Sequence, residues 1–87
     1  MENSVTQDDI DTIIKNSKRV TYHRVFDKQC IIVLEFPNGF TVLGESACVD
    51  PNNYDDRMGE KIAMKKIENK LWELEGYLLQ TKLHDAK

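Results

Sequence analysis

Hydrophobic positions change period twice along the chain, and the changes predict its elements. Ile10, Ile13 and Ile14 mark one face of a short helix that ends near Asn16. Thr6 with Asp9 three residues on resembles a capping box, with Asp in place of the usual Glu or Gln. With three apolar residues supporting it, this helix must gain stability by packing elsewhere. From Arg19 the period falls to two: Val20, Tyr22, Arg24 and Phe26 share one side of an alternation, and Arg19, Thr21, His23 and Val25 the other. Asp27 and Lys28 form a short connection, and Cys30 to Phe36 is a near-continuous apolar run suited to a central strand. Pro37-Asn38-Gly39 is the clearest turn signal, because Gly and Asn tolerate the positive φ of tight hairpins. Phe40 to Ser46 completes an antiparallel three-stranded β-meander, whose local connections need no crossover.

A polar loop from Ser46 to Asp55 then leads to a second helical pattern. Tyr54, Met58, Ile62, Ile67, Leu71, Leu74 and Leu78 recur mostly at steps of three or four, with Ala63 and Trp72 widening the stripe. They predict one amphipathic helix from about Asn53 to about Leu83. At 1.5 Å per residue it is roughly 45 Å long, more than a three-stranded sheet covers. The expected fold is therefore α+β: a short N-terminal helix, the meander, and one long C-terminal helix that packs across the sheet and against a neighbouring subunit. Gly59 and Gly76 interrupt this helix, and close backbone approach at either point would explain them.

An 87-residue chain is read as one domain spanning residues 1–87. A domain near this size hides only about 60% of the surface its unfolded chain exposes, which favours self-association as a dimer or higher homo-oligomer. Cys30 and Cys48 lack CxxC spacing and any upstream signal-peptide pattern, so they read as small apolar residues in a reducing, cytoplasmic setting. His23 and His84 lack partners at ligand spacing, and no metal or cofactor is expected. No apolar run approaches the roughly 20 residues of a membrane span.

Catalysis finds little support. Ser46 and Cys48 could act as nucleophiles, but no GxSxG elbow surrounds them, and Asp55 and Asp56 fit a helix N-terminus, where negative charge interacts favourably with the macrodipole's positive end. The chain is not expected to be an enzyme. Charge placement says more. Lys15, Lys18, Arg19 and Arg24 cluster near the first helix and strand, while Arg57, Lys61 and Lys65 fall on one stripe of the long helix, with Lys66 and Lys70 in a second row. The bland reading is a solvated face balanced by Glu60, Glu68 and Glu73. The functional reading is an anion site, where the row meets the loop and the helix N-terminus offers free amides to phosphate. A net charge of -3 argues against duplex nucleic acid and leaves a small anionic ligand as the better fit.

The segment NGFTVLGESACVDPNNYDDRMGEKIAMKKIENKLWELEGYLL, residues 38 to 79, resembles a family of small tailed-phage and prophage proteins. In that family a GF-x-V-x-GESACV strand runs into a P-x-N-(F/Y)-D loop and a helix ending in KLW-x-LEGYLL. The resemblance implies a grouping that includes the Thoeris anti-defence proteins. These bind and sequester cyclic ADP-ribose isomers made by bacterial TIR-domain proteins, and some also hold cyclic oligonucleotides. The resemblance implies a non-enzymatic nucleotide-binding oligomer, acting in the cytoplasm of an infected bacterium, with ligand held at subunit interfaces. On that reading Phe40 or Tyr54 stacks a purine and Ser46 and Asn53 hydrogen-bond ribose or base. Arg57, Lys61 and Lys65 neutralise phosphates, with Arg24 from the strand cluster. The alternative is a phage protein-binding inhibitor or assembly factor that acts through its helix surface and takes no small molecule.

Overall fold

The computed structural model describes residues 3–87. Helix α1 spans Gln7–Lys15, strands β1, β2 and β3 span Lys18–Val25, Gln29–Glu35 and Thr41–Ala47, and helix α2 spans Asp56–Asp85. The strands pair antiparallel in the order β1-β2-β3, which is the expected meander. One face of the sheet carries α2; the molecule is 55 Å long and about 20 Å across because α2 runs well past the sheet.

Local sequence accounts for the ends of these elements. At α1 the capping box forms in full: the Asp9 amide donates to Thr6 Oγ1 (3.2 Å) and the Thr6 amide donates to Asp9 Oδ2 (3.0 Å). Both would otherwise be unpaired, so Asp performs the reciprocal role usually given to Glu. Ile10 is fully buried and Ile13 and Ile14 pack beside it. Between β2 and β3, the Gly39 amide donates to the Phe36 carbonyl across Pro37 and Asn38, and Gly39 itself sits at φ +91°. Glycine adopts that left-handed conformation without steric cost, which closes the hairpin.

The core lies between the sheet and the first half of α2. From β2, Cys30, Ile32 and Leu34 point inward, opposite Ser46, Gly44 and Val42 of β3, and Phe36 just after the strand is buried with them. From α2 the buried residues are Gly59, Ala63, Ile67 and Leu71. Met58 and Ile62, expected in the apolar stripe together with Leu74 and Leu78, are exposed. The helix is rotated so that its small residues meet the sheet, because the Gly44 backbone and the Ala63 carbonyl approach so closely that a larger side chain on that line would hold them apart.

Three further expectations are corrected. Helix α2 begins at Asp56 and is capped by Asp55, so neither Asn53 nor Tyr54 belongs to it; Pro51–Asn53 forms a separate 3-10 helix turn. Gly59 does lie against Cys30, Tyr54 and Ser46, but Gly76 faces open space and marks no close approach. The β1 alternation also breaks before the strand ends. Tyr22 pairs with Ile31 while Val25 pairs with Gln29, which leaves one extra residue on β1, and Arg24 turns to φ +54°. Such a bulge redirects side chains, and Arg24 leaves the side shared by Val20 and Tyr22 to meet the start of α2.

Candidate functional site

The loop after β3 and the N-terminal turns of α2 form the most convergent part of the surface. Ser46, Cys48, Asn53, Tyr54, Met58 and Ile62 line a cavity of about 50 Å³ there. Ser46 is buried, and its hydroxyl donates to the Gly59 carbonyl at 2.8 Å, so it ties β3 to α2 and keeps only its lone pairs for anything else. Tyr54 is packed into the core, with the Arg24 guanidinium 4.9 Å from its ring centroid. That contact, a cation over an aromatic face, leaves the covered face closed to a stacked base.

The Tyr54 hydroxyl is fully enclosed and has no hydrogen-bond partner among the described residues. It lies beside the Cys30 thiol and the Arg24 backbone. Burial pushes the ionisation of both Tyr54 and Cys30 upward, because the enclosed anion would lose its hydration; for Cys30 the neighbouring Tyr54 hydroxyl works against this shift. The sign follows from linkage. A folded-state pKa above the unfolded value means that the unfolded chain releases its proton first, so stability present below pH 9 falls as pH rises through 9 and 10, the ordinary thiol and phenol values. Tyr54→Phe is therefore expected to leave stability at pH 7 unchanged or raise it by about 1 kcal/mol, since it removes an unsatisfied buried hydroxyl. It should also flatten the loss above pH 10. Urea titrations at pH 7 and pH 10.5 check both; a clear loss at pH 7 would mean that the hydroxyl has a partner.

The helix N-terminus departs from the anion site expected of it. Asp55 Oδ1 accepts from the Arg57 amide (2.9 Å) and the Met58 amide (3.1 Å), and Asp56 adds a second carboxylate beside it. The amides expected to receive a phosphate are spent on a carboxylate that would repel one.

Positive charge gathers instead along the flank of α2 that faces β1. Arg19, Arg57 and Lys61 line an open groove of about 330 Å³ with Glu60 and Met64. Arg19 pairs with Glu60, His23 lies 3.4 Å from Glu60 and 3.7 Å from Asp56, and Arg24 Nε lies 3.6 Å from Asp56. Arg19, Arg24, Arg57 and Lys61 thus share this flank with two carboxylates, Asp56 and Glu60, in a chain that is acidic overall. His23, Asp56 and Glu60 were not expected in a site. The alternation on β1 put Arg19 and His23 on one side together, but only the tertiary contact shows which helix residues meet them.

The remaining candidates lie elsewhere. Lys65 is exposed and pairs with Glu68 at 3.7 Å, and Lys66 reaches Glu45 at 3.0 Å. Phe40 stacks on Phe36, with centroids 6.4 Å apart, beside a groove shared with Leu43 and Lys70. That groove sits at the opposite end of β3 from Ser46, about 20 Å away at strand rise. Within one chain Phe40 therefore cannot share a small ligand with Ser46, Asn53 and Tyr54. Asn53 is exposed at the cavity mouth, and its carbonyl faces Cys48 Sγ at 3.7 Å.

No helix among the described residues is long and apolar enough to cross a membrane. No curated protein and no solved structure matches the chain. A family profile does match, over residues 5–83, which include both helices' cores and the whole sheet. The chain belongs to the phage protein (N4 Gp49/phage Sf6 gene 66) family.

Proposed function

We propose that this phage protein is a non-enzymatic sponge that binds a cyclic nucleotide immune signal and withholds it from its receptor in the host cytoplasm. Cyclic ADP-ribose isomers from TIR-domain proteins are the leading ligands, and cyclic oligonucleotides the next. The observation that carries this reading is the strip of Arg19, Arg24, Arg57 and Lys61 on the β1 flank of α2, an excess of cations suited to a pyrophosphate. Arginine supplies most of it, with the planar fork that matches phosphate oxygens in pairs.

Size argues that one chain is not the whole site. A pocket that encloses a small ligand measures about 300–1,000 Å³. The enclosed cavity at Ser46 is about 50 Å³, and the cationic groove is open on its outer side. A second copy would wall the groove, and would also be the means by which the distant Phe40 contributes a stacking face. The ligand is held in a homo-oligomer, without cleavage, cofactor or metal, and duplex nucleic acid is not a partner.

Calorimetry against a panel of cyclic ADP-ribose isomers and cyclic di- and trinucleotides tests this directly. Binding is expected, with the ligand recovered chemically intact after heat denaturation; recovery of an altered nucleotide would make the protein an enzyme. Arg19→Ala together with Arg57→Ala should weaken binding at least about tenfold, since charge-assisted hydrogen bonds contribute roughly 1.5–3 kcal/mol each. Unchanged affinity in that variant would take the groove out of the site. The second reading, a protein-binding inhibitor or assembly factor, is favoured by Leu74, exposed where α2 leaves β3, and by Tyr77 and Leu78, exposed one turn further on. It predicts no response across the panel and capture of a protein that Leu78→Glu abolishes.

A further inference from the structure

The two edges of the sheet differ. Helix α2 lies over β3 and β2, and no residue of β1 is buried. The Phe36 amide donates to the Phe40 carbonyl and the Cys48 amide to the Lys28 carbonyl, so hydrogen-bonded pairs alternate from there along β2 and β3. The backbone groups of Thr41, Leu43 and Glu45 therefore point out of the sheet. Helix α2 guards that edge: Lys70 Nζ donates to the Leu43 carbonyl at 3.2 Å, and Lys66 holds the Glu45 carboxylate at 3.0 Å. Carried across β2, the same alternation turns Glu35, Val33 and Ile31 toward β1 and leaves the amides and carbonyls of Arg19 and Thr21 facing outward. The side chains there turn elsewhere, since Arg19 Nε donates to Thr21 Oγ1 at 2.9 Å and the same guanidinium pairs with Glu60. An edge with free backbone groups is a template for another strand.

We infer that the β1 edge is a docking site for an extended acidic peptide of a partner protein, which adds to the three-stranded sheet as one further strand. Charge selects the occupant. Residues 12–26 carry Lys15, Lys18, Arg19 and Arg24 and no carboxylate, in a chain whose net charge is -3. Cations along an edge keep like strands apart and attract a strand of opposite charge.

Register then sets the pattern of the peptide. Arg19 pairs with Leu34 and Thr21 with Ile32, both buried under α2, so peptide residues opposite Arg19 and Thr21 place their side chains on the α2 side. There they enter the open groove lined by Arg19, Arg57 and Lys61. Among the described residues Arg57 and Lys61, unlike Arg19 and Arg24, form no ion pair. Peptide residues between these positions fall beside Val20 and Tyr22 and are apolar. The ligand thus alternates Asp or Glu with β-branched residues along the stretch that faces residues 18–22, where the bulge before Val25 ends the run. The inference does not rest on the nucleotide reading: a nucleotide can use the cations but has no peptide backbone to pair with the edge.

The probe is the capped peptide Glu-Val-Glu-Val-Glu-Val-Glu, titrated into the isotope-labelled full chain up to about 1 mM, a range that covers weak peptide contacts. Saturable binding is expected, with amide exchange at Arg19 and Thr21 slowed at least about tenfold and little change at Val20 and Tyr22, whose amides already bond to β2. The block peptide Glu-Glu-Glu-Glu-Val-Val-Val has the same composition and charge without the alternation, and should bind at least about tenfold more weakly. Arg57→Glu with Lys61→Glu should weaken the alternating Glu peptide to a similar degree and improve binding of its Lys-Val counterpart, a reversal that loss of folding would not give. Thr21→Pro removes an outward amide without breaking a bond to β2, and should weaken binding several-fold. No saturable binding, equal affinity for the two Glu peptides, or slowed exchange confined to other amides would overturn the inference. So would protection of Arg19 and Thr21 that rises with protein concentration in the absence of peptide, which would make a second copy the occupant.

Discussion

Replacing Gly44 with alanine is expected to destabilise the fold by about 3 kcal/mol, at the upper end for inserting one methyl into a packed core. The reason is geometric. A Cβ at this position would overlap the Ala63 carbonyl oxygen and sit 2.8 Å from Ile67 Cγ1. The first of these is backbone within a helix, so relief requires α2 to lift from β3, and that in turn would loosen Ile67 and Leu71. Domains are stable by roughly 5–15 kcal/mol in total, and small ones lie near the lower limit. Urea denaturation followed by circular dichroism should show the midpoint falling sharply. Gly76→Ala is the internal contrast: nothing lies within 4 Å of a Cβ there, so the substitution should stabilise α2 by up to about 1 kcal/mol. Equal effects at the two glycines would mean that helix and sheet are less closely packed than the structure shows.

Ile67→Ala is expected to cost about 3–4 kcal/mol, whereas Ile62→Ala should cost less than about 1 kcal/mol. Both residues lie on α2 and both fit its apolar period. Ile67 has no exposed surface and meets Gly44 of the sheet; Ile62 is 42% exposed at the rim of the Ser46 cavity. Truncating Ile67 removes buried methylene groups and leaves a cavity whose walls, two β strands and a helix backbone, cannot collapse into it. Truncating Ile62 removes atoms that water already touches. Denaturant midpoints at constant slope, measured at concentrations too low for association, give the comparison. Similar losses at both sites would show that α2 is rotated relative to the sheet.

The contrast between these residues also shows how much was legible beforehand. The capping box at Thr6 and Asp9, the Pro37-Asn38-Gly39 turn and the order of three strands follow from local chemistry. Hydrogen bonds within a few residues and positive φ at Gly39 do not depend on the rest of the chain. The site was legible only in part. Ser46, Asn53 and Tyr54 meet because they flank one short loop. Arg24 reaches the Tyr54 ring and Asp56 by a bulge that no alternation announces, and it stands on the β1 flank of α2 with Arg57 and Lys61, where Arg19 and Glu60 complete their surroundings. Asp55 fits a helix N-terminus by sequence alone, but its capture of two amides closes the phosphate site expected there.

By itself the sequence determined the kinds of element, their order and their approximate ends, because periodicity, caps and turns act over a few residues. It also determined that α2 would outrun the sheet, since rise per residue fixes length. Tertiary structure decided which of several apolar stripes on α2 became the core. Gly44 and Ala63 let two backbones approach, and that approach turned the helix toward its small residues and left Met58 and Ile62 outside. It likewise decided which face of the sheet the helix covered. Apolar residues stand on both faces, one helix can bury only one of them, and the row of Val20, Val33 and Leu43 remained open.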